Sequence, residues 1–337
     1  MSLENKKLNF SEFENKKLVL KSYPQKLFVE ITRNCNLKCS MCDNRKQKNS
    51  EKFNMNIEFF KKIADELFPY AKIVDLRGFG ESIIHPEFEK FVEYTIKYDC
   101  DFGLVTNLAI KKDSLWKKLL ENNFWLGISF DGATKETFEK IRKGSKFETI
   151  THNLELIQKI RDKNNINSWR TYFIVTLQNK NIDELKDIVK LAKKFGINRI
   201  ELNPVQLSFF NFNKLFFHKK RVEKNLKKTV NYANKHNITV LFDGKISTTE
   251  KEHTSNSNIK IIKRCKNPWT NLYISYDGKI GPCNHLMRKP FVIGDLKKGS
   301  FKKEWNNKDF KEFRKYNDTK LRYRACNWCY KNRYDHF

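Results

Sequence analysis

Nowhere in the 337 residues does an uninterrupted apolar run approach the roughly 18 residues that a membrane-spanning helix needs. The opening MSLENKKLNF also lacks the apolar core of a secretory signal, so neither export nor membrane spanning is supported and a cytoplasmic protein is expected. Acidic residues are in deficit: 39 Asp and Glu stand against 67 Lys and Arg, leaving a formal charge of +28. Glycine is scarce as well, with 12 residues, while Lys, Asn, Ile and Phe abound, the bias of an AT-rich genome. The charge therefore has two readings. It is either compositional, with lysines forming the solvated faces of helices, or a basic surface for a phosphorylated or otherwise acidic substrate, whose binding would weaken with salt. Eight cysteines are poor material for a disulfide framework in a reducing cytosol, and their clustering at 35/39/42 and 326/329 points to metal.

The chain exceeds the size of a single small domain, so a large domain and a smaller one are expected. From residue 27 to about 236, short apolar runs alternate with helical patterns, the signature of βαβ units and a parallel sheet. Six such units are predicted. Their strands read LFVEIT (27–32), KIVDLR (72–77), FGLVT (102–106), WLGISF (125–130), TYFIVTL (171–177) and RIELNP (199–204). Phe60, Ile63, Ala64 and Leu67 mark the first helix, with Asn56 as its N-cap, and Pro86 is expected in the first turn of the second. The polar stretch TTEKEHTSNSN reads as a linker. Beyond it, NLYISYDGKIGPC alternates like a hairpin with Asp277-Gly278 at the turn, and SFKKEWNNKDFKEFRKY is helical. The resulting division is an N-terminal extension (1–26), a partial (β/α)6 barrel (27–243), a linker (244–261) and a C-terminal module (262–337).

CNLKCSMC places Cys35, Cys39 and Cys42 on the loop leaving the first strand. A structural zinc site wants four ligands, and the following DNRKQKNSEK offers neither His nor a fourth Cys. Three thiolates suit a 4Fe-4S cluster with one open iron. Reactive groups of parallel βα barrels lie on loops after the strands' C-terminal ends, and the other polar motifs occupy such loops. RGFGESIIHPEF follows strand two, with glycines that permit close backbone approach and Glu81 as a carboxylate for an ammonium group. TNL, SFDG and ELNP follow strands three, four and six.

On these motifs the chain resembles the radical S-adenosylmethionine (SAM) enzymes. CNLKCSMC looks like their CxxxCxxC motif and GFGESIIHPEF like their glycine–glutamate motif. ISFDGATKETFEKIRKG looks like the strand-four segment of their subgroup with an extra C-terminal cluster domain, and the similarity spans roughly residues 27–337. It implies that Cys35, Cys39 and Cys42 ligate a cluster whose open iron chelates SAM, which an electron cleaves to a hydrogen-abstracting 5′-deoxyadenosyl radical. It further implies that Gly80 and Glu81 meet the cofactor's amino group and that Ser129 and Arg142 face its carboxylate. Asn107 and Asp131 are candidates for the ribose or substrate. Asp131 otherwise reads as a helix cap, and Arg142 as a surface residue. Ser82 and Met41 depart from the family's usual Pro and aromatic residue without removing a ligand.

Cys265, Cys283, Cys326 and Cys329, read alone, would fit a zinc ribbon. Beside a radical-SAM barrel their pattern resembles the SPASM or twitch module, which implies one auxiliary 4Fe-4S cluster closed by four protein ligands. Cys100 lies at the barrel end opposite the chemistry and is expected to be inert. VQLSFFNFNKLFFHKK, after strand six, is expected either to cover the substrate or to pack on the C-terminal module.

The resemblance to single-cluster twitch enzymes implies a two-electron dehydrogenation of a small, sugar-like or phosphorylated metabolite, with Asp131 or Glu201 as the base. The alternative is a maturase that installs a crosslink, thioether or epimer in a ribosomally made peptide; only 26 residues precede the first strand, too few for a winged-helix leader-binding domain. A zinc protein associated with nucleic acid would leave the glycine–glutamate loop unexplained. The implied partners are an unidentified small-molecule or peptide substrate and a reducing donor such as flavodoxin or ferredoxin.

Overall fold

The computed structural model describes residues 3–204, 219–242, 265–283, 292–317, 319 and 326. In chain order the elements are α1 (Leu3–Glu14), β1 (Lys26–Val29), α2 (Ile57–Leu67), β2 (Ile73–Asp75), α3 (Phe88–Thr95), β3 (Asp101–Thr106), α4 (Asp113–Glu121) and β4 (Trp125–Ser129). They continue with α5 (Lys135–Ile141), α6 (Phe147–Asn164), β5 (Thr171–Leu177), α7 (Leu185–Lys194), β6 (Arg199–Pro204), α8 (Lys219–Asn234) and β7 (Thr239–Phe242). The C-terminal part holds α9 (Asn267–Thr270), β8 (Asn271–Ile274), β9 (Lys279–Gly281), β10 (Gly294–Asp295), α10 (Phe301–Trp305) and α11 (Lys308–Tyr316).

The chain divides into two compact units. The first comprises residues 1–35, 48–104 and 260–337, and the second residues 36–47 and 105–259.

In the first unit β1 is the organising strand. It pairs in parallel with β2 on one side, Leu27 opposite Val74, and with β8 on the other, Leu27 opposite Leu272. The C-terminal hairpin thus continues the sheet at the strand that leads to Cys35. β2 pairs in parallel with β3, while β8–β9 and β9–β10 are antiparallel. The hairpin turn falls at Asp277-Gly278 as expected: Gly278 has φ +85°, and a Cβ there would meet the Phe59 ring at 2.9 Å. Helix α2 starts where Asn56 accepts the N–H groups of Glu58 and Phe59, and Phe60 packs on Phe91 with ring centroids 4.7 Å apart. Pro86 does not enter the first turn of α3, which begins at Phe88; it lies in the turn between a single 3-10 turn at Ser82–Ile84 and that helix. Helix α1, within the N-terminal extension, buries three polar side chains, Asn5, Asn9 and Glu12, and one apolar one, Phe13. Asn9 donates to Trp269 O (2.7 Å) and Ser22 Oγ (2.9 Å), and Glu12 accepts from Lys21 and Ser22.

In the second unit β4, β5, β6 and β7 run parallel in that order. Strands β5 and β6 occupy the predicted residues; β7 is an addition to the six predicted strands. Phe130 stacks on Phe173 at 4.5 Å and packs on Phe138, so the end of β4 is anchored in aromatic core. The predicted linker 244–261, most of the loop after strand six (205–218) and Cys329 lie outside the described residues.

Candidate active site and cluster-binding loops

In the first unit, β1 delivers a compact polar turn. Thr32 Oγ1 donates to Asn54 Oδ1 at 2.6 Å, and Asn34 bridges Ser50 and Asn54. Cys35 and Asn49 exchange two hydrogen bonds, each 3.1 Å, so the first thiol leaves the strand from a fixed backbone. The glycine–glutamate loop closes on this turn. Glu81 N–H donates to Asn34 O at 2.8 Å, and a Cβ on Gly80 would lie 2.4 Å from both Asn34 O and Thr32 O. Gly80 is therefore required by backbone approach, and Glu81, 3% exposed, is fixed by its own N–H.

Behind the loop stands Glu30, fully buried, whose Oε1 accepts Phe79 N–H at 2.8 Å. Burial pushes the Glu30 carboxyl above its ordinary range, and Arg33, 3.4 Å away, opposes that. The Arg33 guanidinium lies over Phe79 and Tyr276, while Tyr273 of β8 packs on Phe28 and Phe79. Sequence reasoning missed Glu30 and Arg33. A charged residue inside the apolar run LFVEIT was the available signal, because a buried carboxylate needs specific partners. His85 was missed too. Its Nε2 faces Met55 O and its Nδ1 accepts Glu87 N–H, the neutral tautomer, in keeping with a pKa lowered by burial.

In the second unit, Cys39 and Cys42 sit on a loop docked against the end of α5. Lys38 N–H donates to Lys143 O (2.9 Å), Ser40 N–H to Ile141 O (2.8 Å) and Cys42 N–H to Cys39 O (3.1 Å). Gly144, at φ +96°, turns the chain beside Leu37. Arg142, 7% exposed, reaches inward: its Nη2 is 2.7 Å from Asp131 Oδ2 and its Nη1 3.9 Å from Cys39 Sγ. Asp131 is fully buried, and its Oδ1 accepts Thr176 N–H at 2.6 Å. Burial pushes the Cys39 thiol up; Arg142 draws it back down and Asp131 adds to the rise.

Arg142 is thus neither a surface residue nor free of partners, and Asp131 is not the cap of α5. That cap is Thr134, whose side chain accepts Thr137 N–H. The Asp131 carboxylate is enclosed by the Arg142 guanidinium and Thr176 N–H. Asn107 donates to Asn36 Oδ1 (2.8 Å) and accepts Ala109 N–H (2.9 Å), tying the loop after β3 to the cysteine loop. Ser129, partly buried, ends β4. Glu201 pairs with Arg199 on β6, and the Arg199 guanidinium stacks on Tyr172 at 4.0 Å. Cys100 donates to Phe68 O, and burial raises its thiol to about 12, as expected of an inert residue.

Cys265 N–H is held by Asn317 Oδ1 at 2.8 Å, Cys283 follows β9, and Cys326 is partly buried. Among the described residues no three His, Cys, Asp or Glu side chains are gathered around a metal position. The donor chemistry nevertheless fits iron–sulfur ligation: three thiols spaced closely along the sequence, with Cys39 and Cys42 on a loop held by backbone bonds and a buried guanidinium beside Cys39.

Comparison with known proteins decides the family. Residues 29–192 match the radical SAM superfamily and residues 265–330 match an iron–sulfur cluster-binding domain, SPASM. The chain is a radical SAM enzyme with a SPASM domain. The two domains bring SAM and two 4Fe-4S clusters.

Among similar proteins, a tungsten-containing aldehyde ferredoxin oxidoreductase cofactor-modifying protein of Pyrococcus furiosus is 36% identical over 35% of this chain and 38% of its own. The subtilosin biosynthesis protein AlbA of Bacillus subtilis is 25% identical over 82% of this chain and 58% of its own. A cysteine-type anaerobic sulfatase-maturating enzyme of Clostridium novyi is 24% identical over 90% of this chain and 84% of its own. The first two matches thus span less than two thirds of those relatives. The structure of Streptococcus suis SuiB bound to SAM aligns with a TM-score of 0.70 at 12% identity, covering 92% of this chain and 71% of SuiB. SuiB has also been crystallised with its precursor peptide SuiA. This likeness gives the fold: a largely parallel mixed α/β sheet of the radical SAM partial-barrel type, with the SPASM domain C-terminal.

Proposed function

We propose that this radical SAM enzyme modifies a peptide or protein substrate rather than dehydrogenating a small metabolite. The observation that carries the reading is the match to a sulfatase-maturating enzyme along 84% of its length, through both modules. AlbA and SuiB, named for a bacteriocin and solved with a precursor peptide, support the same class. The earlier expectation of a sugar-like substrate has no comparable support.

With both groups bound, the cofactor and its cluster supply a radical that takes a hydrogen atom from an unactivated C–H bond. The protein's share is orientation and exclusion of side reactions. In this reading Cys35, Cys39 and Cys42 hold the first cluster, and Cys265, Cys283, Cys326 and Cys329 the auxiliary one. Gly80 and Glu81 are assigned to the cofactor's amino group, Ser129 to its carboxylate and Asn107 to its ribose or the substrate. Asp131 is assigned to orienting Arg142, which leaves Glu201, partly exposed on β6, to take a proton from the substrate. The electron source is a low-potential donor of the flavodoxin or ferredoxin kind, and the +28 charge favours an acidic substrate or donor.

The test is 5′-deoxyadenosine formation by the anaerobically reconstituted enzyme with dithionite, comparing a pool of Cys- and Ser-containing acidic peptides with a pool of amino sugars and sugar phosphates. Stimulation by peptides, with a changed peptide mass, is the expected result. Stimulation by the sugars alone would return the small-metabolite reading.

A further inference from the structure

We propose that Arg142 and Asp131 form an opposed charge pair that sets the reduction potential of the cluster held through Cys39, the arginine raising it and the aspartate lowering it. The inference rests on Cys39 being a cluster ligand. The guanidinium places Nη1 3.9 Å from Cys39 Sγ and Nη2 2.7 Å from Asp131 Oδ2. All three residues are below 9% exposure, so solvent and salt screen their charges weakly.

The spacing is built in from both sides. Arg142 N–H bonds Phe138 O at 2.8 Å and Ser145 Oγ donates to Arg142 O at 2.6 Å, fixing the end of α5. Flanking residues of the same segment accept Lys38 and Ser40 N–H, fixing the cysteine loop against it. Asp131 cannot swing away, because Thr176 N–H holds its other oxygen at 2.6 Å and Asn181 Nδ2 holds its backbone carbonyl at 2.9 Å. Reduction by one electron adds negative charge that the thiolates share. A cation beside the sulfur favours that state, and the carboxylate behind the cation opposes it; charge and hydrogen bonding at the ligating sulfurs are among the determinants of cluster potential.

The experiment is a mediated dithionite titration of the reconstituted holoenzyme without SAM, followed by EPR. The first-cluster signal is the one missing from Cys35→Ala. At the wild-type midpoint, Arg142→Gln should lower the ratio of reduced to oxidised cluster about tenfold, a midpoint about 59 mV more negative for a one-electron couple. Asp131→Asn should move it in the positive direction, Arg142→Lys should stay near wild type, and the Asp131→Asn/Arg142→Gln double variant should return towards it. Unchanged midpoints, or shifts of the same sign in Asp131→Asn and Arg142→Gln, overturn the proposal. A loss of SAM affinity at unchanged potential would put Arg142 on the cofactor's carboxylate instead. If Arg142→Gln does not fold, the sign of the Asp131→Asn shift decides alone. Failure of the ligand assignment is separately visible, since the first-cluster signal would then survive Cys39→Ala.

Discussion

Glu30 and Phe79 are joined by one hydrogen bond, the Phe79 N–H donating to Glu30 Oε1 at 2.8 Å, and through it a fully buried carboxyl supports the loop that carries Gly80 and Glu81. Because burial holds this carboxyl above its ordinary range, its ionisation is disfavoured in the folded state. Its contribution is full below about pH 4.3, the value of a free glutamate, and declines as pH rises through the raised folded value. The Tm of the wild type should therefore fall relative to Glu30→Gln as pH rises above the free-glutamate value. Parallel Tm curves for the two proteins would sink the idea.

Gly78 and Gly80 should fail differently. A Cβ on Gly78 would lie 2.2 Å from Glu30 Cγ, a side-chain clash in the interior, and Gly78→Ala should cost about 1–3 kcal/mol in denaturant unfolding. On Gly80 the obstruction is two backbone carbonyls, which cannot rotate aside. Gly80→Ala should weaken SAM binding more than tenfold by equilibrium dialysis, about 1.4 kcal/mol or more.

The two cysteine groups are separable by iron content and turnover. The reconstituted enzyme should hold about eight irons, and Cys35→Ala or Cys283→Ala about four. SAM cleavage should vanish in Cys35→Ala and persist in Cys283→Ala, while substrate modification is lost in both. A Cys283→Ala variant that still modified its substrate at the full rate would remove the auxiliary cluster from the reaction.

Arg314 ties α11 to the N-terminal segment. It donates to Leu18 O (2.8 Å), Pro268 O (3.0 Å) and Trp305 O (2.9 Å), and it stacks on Trp305. Arg314→Met would leave buried carbonyls without donors, at about 1–3 kcal/mol each, and should lower the unfolding midpoint well beyond the effect of Lys315→Met at the exposed neighbouring position.

If the +28 charge serves substrate capture, KM for an acidic peptide should rise steeply with ionic strength while kcat stays constant. A flat KM would assign the charge to composition.

The sequence by itself determined the periodic elements and the chemical motifs. Strands β5 and β6, the Asn56 cap and the Asp277-Gly278 turn are local matters of side-chain pattern and backbone freedom, and the cysteine spacing is chemistry written in order along the chain. Helix α1 was illegible because three of its four buried side chains are Asn5, Asn9 and Glu12, with Phe13 the fourth, and hydrogen bonds rather than an apolar period justify the place of the polar three. Tertiary structure alone decided that β8 joins the sheet beside β1, that Glu30 supports Phe79, and that Asp131 and Arg142 enclose one another next to Cys39. Each depends on residues far apart in the chain, and a buried charge acquires its role from the partner that folding brings within reach.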